Sequence, residues 1–324
     1  MRKSTYGRIE SRDSHRDNPG MREQTLDRLI RVGIKAVLVG IALVAVAYFL
    51  GRPHTGPSLV ERQIAAGEKA VRSSPTNIGL RLQLANVYRA AKKPDGALEQ
   101  YAEVLKVESN QSTALLGRGE ILAEKGDLAP ARQSYAQLIG KTTGAEFARV
   151  NPQLETAYYG LGSVMLKQNQ ATEAMQEVQK ALKIEPTDAD AWYLLGTAAF
   201  EAGSYERAIK ALRQAVLFVP TGWCEPYAQL AKAYGAQHRM PQAEYASAMV
   251  ELCEKKPADA AVRLKPLTSG PVAVDAMLGL GMAAEAESQP ASATRWYRKV
   301  VAADPQNFNA RTALARLGVH IGGN

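Results

Sequence analysis

The chain has 324 residues, of which 46% are hydrophobic, so it is long enough for about two ordinary domains and apolar enough to bury a core. The net charge of +8 does not indicate a nucleic-acid interface, because nine basic and five acidic residues lie within residues 1–35 and the rest is nearly balanced. The two cysteines, Cys224 and Cys253, form no C-x-x-C pair and have no histidine cluster beside them, which argues against a structural zinc site. With few Phe and Trp, the composition favours close-packed helices over a β-sandwich or barrel.

The N-terminal region divides into a polar tail and an apolar segment. Residues 1–25 are rich in Ser, Arg and Asp and contain the turn-forming segment Asn18-Pro19-Gly20, so we expect a disordered cytoplasmic tail. Residues 26–51 include the apolar run 32–51, whose only charge is Lys35. A helix of that length spans the hydrocarbon core of a bilayer, so a single transmembrane signal-anchor helix is predicted at 26–51, contacting lipid through residues 32–51.

The basic residues on either side of this segment predict its orientation. Six Lys or Arg lie in residues 12–35, whereas residues 52–71 contain three, Arg52, Arg62 and Lys69. The positive-inside rule then predicts a single-pass inner (cytoplasmic) membrane protein with a cytoplasmic N-terminus and an extracytoplasmic remainder. Ala45-Val46-Ala47 also satisfies the small-x-small preference of signal peptidase, so cleavage after Ala47 stays an alternative.

Beyond residue 58 the sequence repeats itself about every 34 residues. In the unit that begins at residue 189, the recurring residues are Trp192, Leu195, Gly196, Gly203, Ala208, Ala215 and Pro220, at positions 4, 7, 8, 15, 20, 27 and 32. This pattern resembles the tetratricopeptide repeat (TPR), in which helix A carries the aromatic, Leu and Gly residues, and helix B carries the two Ala residues. The resemblance covers about 260 of 324 residues. It implies an all-α fold, a right-handed TPR superhelix (α-solenoid), here preceded by the single transmembrane helix.

The repeat domain is predicted at 58–320. Its six full units are 78–111, 112–143, 155–188, 189–222, 224–257 and 274–307, and two half-units, 58–77 and 308–320, cap the stack. Position 8 is small and position 20 is Ala in every full unit, as a close crossing of helices A and B requires. Arg118 stands at position 7 of the second unit, where the others have Leu, so we expect that unit to be distorted or shifted by one turn.

Two inserts interrupt the array. Residues 144–154 lengthen one connection, and residues 258–273 separate the last full unit from the five before it. The second insert either lets the final hairpin pivot or packs as an extra helical turn.

A search for catalytic chemistry finds little. The segment 279–284 matches the dinucleotide pattern G-x-G-x-x-A, but Gly279 and Gly281 fall inside helix A at positions 6 and 8, where packing explains them. The four histidines are dispersed and none has a metal-ligand partner at i, i+4. We therefore expect no enzymatic activity, no catalytic, cofactor-binding or metal-binding residues, and neither a nucleic acid nor a small-molecule substrate as partner.

The cysteines occupy positions 1 and 30 of the unit 224–257. In the hairpin that the resemblance implies, the start of helix A lies beside the end of helix B, so a Cys224–Cys253 disulfide would close its base. The alternative is two small buried thiols.

If the architecture of the family holds, positions 2, 5, 9, 12 and 13 of helix A line the concave face, where family members commonly bind peptides or protein segments. The candidate partner-binding residues are Asn86, Arg89, Glu120, Glu124, Tyr159, Lys167, Tyr193, Phe200, Glu201 and Lys232. Tyr159, Tyr193 and Phe200 form an aromatic strip in this interpretation. The alternative is that these rings pack between adjacent hairpins.

These features predict a membrane-anchored protein–protein interaction scaffold that binds a protein or peptide segment beside the membrane during assembly of a larger complex. One alternative is a stable structural subunit of a membrane protein complex. Another is a factor similar to the bacterial anchored repeat proteins that escort apocytochromes in cytochrome c maturation. A third is an organelle import receptor with the opposite topology.

Overall fold

The computed structural model describes residues 34–35, 37–46, 48, 56–144, 146–219 and 222–319. The chain divides into two compact units, Met1–Arg62 and Gln63–Asn324. In the first unit, the described residues from 34 to 48 are helical, and their large apolar side chains are at least 54% exposed. The predicted tail, 1–25, lies outside the described residues, and the predicted anchor, 26–51, lies within them only in part. No helix built from described residues is long and apolar enough to cross a bilayer.

The repeat region is all-α within its described residues. These residues form two 3-10 helices, at Ala148–Val150 and Lys265–Leu267, and fifteen α-helices. The α-helices are α1 Leu59–Ser73, α2 Ile78–Ala90, α3 Pro94–Val107, α4 Ser112–Lys125, α5 Leu128–Thr142, α6 Pro152–Lys167, α7 Ala171–Ile184, α8 Ala189–Glu201, α9 Tyr205–Phe218, α10 Glu225–Ala236, α11 Met240–Cys253, α12 Pro257–Leu264, α13 Ala273–Ala286, α14 Pro290–Ala303 and α15 Phe308–Arg316. Each of the six predicted units contains two consecutive helices that pack against one another.

Polar side chains fix where the first helix of most hairpins begins. Asn77, Gln111, Asp188 and Asn307 precede α2, α4, α8 and α15, and each accepts a hydrogen bond from a backbone N–H in the following turn. Such caps satisfy amide groups that have no partner inside the helix. Asn151 does the same for α6, which therefore begins at Pro152, three residues before the predicted unit boundary. The last three residues of the insert 144–154 therefore belong to α6.

The turn inside each hairpin has one residue with positive φ, always at position 15 of the predicted unit. These residues are Lys92, Gly126, Asn169, Gly203, His238 and Ser288. Only two of the six are glycine, although the left-handed conformation disfavours side chains with a Cβ. The backbone path of the hairpin, rather than the residue type, therefore determines this conformation.

Glycines on the first helices make room for large side chains of their neighbours. Tyr135 of α5 is 3% exposed, and a Cβ added at Gly119 of α4 or Gly160 of α6 would lie 2.8 or 2.5 Å from its ring. The ring of Tyr135 therefore packs into two notches, the spaces left by the missing side chains of Gly119 on α4 and Gly160 on α6. The shift or distortion expected from Arg118 is not found, because Gly119 takes the crossing position and Leu115 is fully buried in the core.

The glycines of the dinucleotide-like pattern have the same packing role. Gly279 and Gly281 lie inside α13, where added Cβ atoms would meet the side chains of Leu264 and Tyr297. Neither glycine lies at a strand-to-helix turn, which the dinucleotide-binding fingerprint requires.

The second insert forms a packed helix, α12, followed by a 3-10 turn. Leu264 is fully buried between α11 and α13. Arg263 donates hydrogen bonds from α12 to Glu244 at 2.7 Å and to Glu251 at 2.8 Å, both on α11. Of the two alternatives for residues 258–273, the structure therefore has the packed helix, and the final hairpin belongs to the same compact unit.

Candidate protein-binding surfaces

The predicted candidates on α2 and α4 lie on one surface and are partly joined to each other. Arg89 forms an ion pair with Glu120 at 2.7 Å, and both side chains are partly exposed. Asn86 and Glu124 are exposed. A partly exposed ion pair contributes little to stability, so Arg89 and Glu120 remain able to exchange this contact for one with a partner.

The predicted aromatic residues are half-buried by contacts within the chain. The ring of Tyr193 meets the ring of Trp223 edge-on at 5.1 Å, and the ring of Phe200 lies 5.4 Å from that of Tyr205. Burial raises the pKa of Tyr159, and the carboxylates of Asp190 and Asp188 raise it further. Phe200 therefore packs within its own hairpin and Tyr193 packs against the connection that follows it, so only the remaining exposed surface of these rings is available to a ligand. Their role in binding stays a prediction.

The remaining charged candidates lie near helix ends. Lys167 donates a hydrogen bond from the end of α6 to the backbone oxygen of Ala123 on α4, at 3.3 Å. Glu201 and Lys232 are exposed. Their role in binding stays a prediction.

Glu155, at the start of α6, is a titratable group that the sequence did not single out. Burial, followed by the nearby Asp188 carboxylate, raises the pKa of Glu155 to about 7. Asp188 is held in place because it accepts hydrogen bonds from the backbone of Asp190 and Ala191 as the cap of α8. Thr156 donates a hydrogen bond to one oxygen of Glu155, and the other oxygen is buried. This arrangement favours the protonated form of Glu155.

The C-terminal groove is a concave surface of about 480 Å³ between α9–α11 on one side and α13–α15 on the other. Its aromatic lining consists of Tyr245, which is half-buried, and of Tyr227, Tyr234 and Tyr297, which are buried. Apolar side chains such as Leu278 and Met282 continue the surface between these rings.

Two of the four charged residues in the C-terminal groove have partners beside it. Arg239 pairs with Glu206 at 3.3 Å. Arg316 pairs with Glu285 at 2.7 Å, and Glu285 also accepts a hydrogen bond from the hydroxyl of Tyr297. These contacts hold the walls formed by α9, α11, α13, α14 and α15.

Arg213 and Asp275 are the other two charged groups of the C-terminal groove. Burial raises the pKa of Asp275, and the guanidinium of Arg213 opposes that shift. Burial and the Asp275 carboxylate together raise the pKa of Tyr227 to about 12. The groove therefore combines apolar and aromatic area with charges of both signs, a mixture suited to a polypeptide segment.

The helix A positions that predict the concave face also include residues of this groove, although none of the candidates named from the sequence lines it. Positions 2, 5 and 9 of α13 are Asp275, Leu278 and Met282, which all line the groove. The depth of the groove could not be predicted, because it depends on how α12 places α13 beside α11.

Cys224 and Cys253 are joined by a disulfide between the residue before α10 and the last residue of α11. Their Cα atoms are 5.6 Å apart, within the range that a disulfide spans. The bond closes the open end of this hairpin, which forms one wall of the C-terminal groove.

Consecutive helical hairpins, each packed on the next, define an α-solenoid of the kind that presents extended surfaces to other proteins. Two family models, both described as Tetratricopeptide repeat, match the chain, one over residues 165–234 and the other over residues 82–146 and 256–308. Together these matches cover more than half of the chain, which therefore belongs to the tetratricopeptide repeat family.

Three solved structures illustrate the likeness. MamA 41-end from Desulfovibrio magneticus RS-1 has 24% identity and a TM-score of 0.49, covering 55% of this chain and 95% of that chain. The MamA RS-1 ArsTM double mutant has 23% identity and a TM-score of 0.50, covering 56% of this chain and 97% of that chain. A tetratricopeptide repeat protein from Parabacteroides merdae ATCC 43184 has 18% identity and a TM-score of 0.46, covering 79% and 91%. At these identities the likeness concerns the fold alone.

No curated protein is significantly similar to the chain in sequence. Tetratricopeptide repeat proteins are typically non-enzymatic scaffolds whose repeats bind proteins or peptides, and the fold of this chain is consistent with that role. In the part of the chain that the structure describes, no group of three or more His, Cys, Asp or Glu side chains is arranged to hold a metal ion.

Proposed function

We propose that this protein is a membrane-anchored scaffold that binds a segment of another protein in the C-terminal groove. The observation that carries the proposal is the groove itself, with its volume of about 480 Å³ and the half-buried side chains of Tyr245, Leu278 and Met282 in its lining. Sites of this size bind a few side chains of a ligand, and tyrosine is enriched among the residues that dominate binding energy. An extended segment of a partner therefore fits the groove better than a flat protein surface does.

The proposed anchor is the apolar segment 32–51. Its described residues are helical and expose large apolar side chains, which favours a lipid environment over water. The excess of basic residues before the segment supports a cytoplasmic N-terminus, with the repeats on the other side of an inner membrane. A disulfide between Cys224 and Cys253 suits an oxidising compartment and supports the same orientation. In this arrangement the scaffold acts beside the membrane, during assembly of a larger complex.

Site-specific photocrosslinking in cells tests the binding site. A photoreactive residue in place of Leu278 lies in the groove, and one in place of Val262 is a matched control, because Val262 lies on the nearby helix α12 and is 69% exposed. We expect a defined partner to be captured from position 278 and not from position 262. Capture at 278 should be lost when Met282→Glu places a charge in the groove. Capture of the same partner from Tyr193 but not from position 278 would place binding on the sequence-predicted surface instead.

Membrane attachment is tested separately. The full chain should remain in the membrane fraction after alkaline extraction, and a variant without residues 32–51 should be released. Protease added outside spheroplasts should degrade the repeat domain, whereas protection of the repeats would overturn the proposed orientation. Co-migration with one partner at fixed stoichiometry after detergent extraction would identify a structural subunit rather than a scaffold with exchanging clients.

A further inference from the structure

A second groove, of about 540 Å³, crosses α7, α8 and α9, and we call it the basic groove. Its floor is formed by the buried side chains of Met175, Leu182 and Leu195 and by the half-buried ring of Trp192. Trp192 and Leu195 stand at positions 4 and 7 of their unit, outside the positions that define the predicted concave face. The basic groove is therefore distinct from both the predicted surface and the C-terminal groove.

All three charged residues that line the basic groove are positive. Lys183 lies on α7, and Arg207 and Lys210 lie on α9. Each is exposed, and none of them forms an ion pair or side-chain hydrogen bond with any other described residue. Among the residues that the structure describes, no carboxylate lines the groove. Three like charges around one apolar floor repel one another, and an anionic ligand would relieve this repulsion.

Three carboxylates close in sequence to these cations have other partners. Glu177 pairs with Lys180 at 2.7 Å on the same helix. Glu185 accepts hydrogen bonds from the backbone and the hydroxyl of Thr187. Glu206 pairs with Arg239 at 3.3 Å, away from the groove. None of these three carboxylates pairs with Lys183, Arg207 or Lys210.

The apolar floor adds a second requirement for the ligand. The indole N–H of Trp192 already donates a hydrogen bond to the backbone oxygen of Pro186 at 2.8 Å. The exposed part of the ring therefore offers apolar and π surface rather than a free donor. A ligand that fits must combine negative groups for the rim with an apolar group for the floor.

We propose that the basic groove binds an acidic protein segment, in which Asp or Glu side chains flank an apolar side chain that covers Trp192. Two carboxylates can pair with Lys183 and Lys210 from opposite sides of the apolar anchor, and Arg207 offers a further donor fork. The confined apolar floor favours a peptide over a nucleic acid, which needs an extended basic track for its phosphates. Because this surface is separate from the C-terminal groove, either proposal can fail while the other stands.

Fluorescence anisotropy with the full chain in detergent micelles tests this proposal. The probe is a short fluorescein-labelled peptide of alternating Glu and Leu, and the control peptide has Gln in place of each Glu. We expect the acidic peptide to bind, to weaken as salt rises, and to bind far more tightly than the amide control. Each charge reversal, Lys183→Glu or Lys210→Glu, should weaken binding by about tenfold or more, as expected for the loss of a charge-assisted contact.

Lys69→Glu is the matched control, since it makes the same change in net charge at an exposed site on α1, and it should change affinity by no more than about twofold. Binding should also change the tryptophan emission, and Trp192→Phe should abolish that change. The proposal is overturned if the amide peptide binds equally well or if both groove reversals bind like the Lys69→Glu control. It is also overturned if a single-stranded oligonucleotide or an anionic vesicle binds through these lysines while the peptide does not.

Discussion

Replacing Gly160 with Ala tests whether glycine notches determine how neighbouring repeats pack. The added Cβ would lie 2.5 Å from the ring of Tyr135, and this ring is buried and already confined on its other side by Gly119. The ring cannot move into solvent without leaving the core, so the helices must separate. Gly140 of α5 is the matched control, because an added Cβ there meets nothing within 4 Å.

The two substitutions should have effects of opposite sign. Overpacking at a buried contact costs about 3 kcal/mol at the upper end of its usual range, and Ala is favoured over Gly inside a helix by about 1 kcal/mol. Gly160→Ala should therefore lower the free energy of unfolding by about 2 kcal/mol, whereas Gly140→Ala should raise it by about 1 kcal/mol.

Urea unfolding followed by circular dichroism measures both changes. The midpoint of Gly160→Ala should fall by roughly 1 M, given a usual dependence of about 2 kcal/mol per molar of urea. In a Tyr135→Leu background, which removes the ring, Gly160→Ala should no longer be destabilising. If Gly160→Ala raises the midpoint as Gly140→Ala does, the ring does not constrain the spacing of α4 and α6.

Three further predictions concern other parts of the repeat domain. Reduction of the Cys224–Cys253 disulfide, or replacement of both cysteines by Ser, should lower the free energy of unfolding. The chain-entropy account gives a loss of up to about 3.6 kcal/mol for a separation of 29 residues. Two free thiols in the unreduced, denatured protein would show that the bond does not form. Between pH 4.5 and about 7 the protonated Glu155 stabilises the folded state, so the free energy of unfolding should fall as pH rises through this window. The Glu155→Gln variant should lose this fall and keep the same stability at low pH. An unchanged pH profile in the variant would contradict the raised pKa of Glu155. Ser288→Gly should raise the thermal midpoint by the equivalent of about 1 kcal/mol, because Ser288 has a φ of 59°, and a lower midpoint would mean that its side chain stabilises the turn.

The hairpin pattern was predictable because it depends on contacts that recur in every unit. A small residue at position 8 and Ala at position 20 allow two helices to cross. The unit 155–188 shows this contact, because a Cβ added at Gly162 would lie 3.2 Å from the backbone oxygen of Ala174. Arg118 predicts a distortion that the structure does not have, because Gly119 and the buried Ala131 keep the crossing of α4 and α5. Leu115 of the same helix is also fully buried.

The candidate surface was less predictable, because ring contacts between helices are not encoded at a fixed spacing. Tyr193 is a candidate for the aromatic strip of the concave face, and its ring also contacts the ring of Trp223, which follows the end of its own unit. The left-handed turn at position 15 also has no constant sequence signal, since Lys92 and His238 adopt it as readily as Gly203. Tertiary geometry rather than local preference decides these features.

The C-terminal groove depends on an element that the sequence pattern identified only as an interruption. Whether residues 258–273 pivot or pack could not be decided from composition, because a short amphipathic segment suits both. Leu264 decides it by filling the space between α11 and α13. Once α13 is placed, its groove residues follow from the same position rule as the other units.

Helix α12 separates the two walls of the C-terminal groove, yet none of its residues, Pro257–Leu264, lines that groove. The shape of the groove and its chemistry are consequently encoded in different stretches of sequence. A change in the length or packing of α12 would change the position of α13 relative to α10 and therefore the width of the groove. The residues that line the groove, such as Tyr227, Asp275 and Met282, would remain unsubstituted. Conversely, substitutions along the walls would change the preferred ligand without disturbing the spacing. In an evolving repeat protein, such a division lets the fit to a new partner be adjusted in two independent steps.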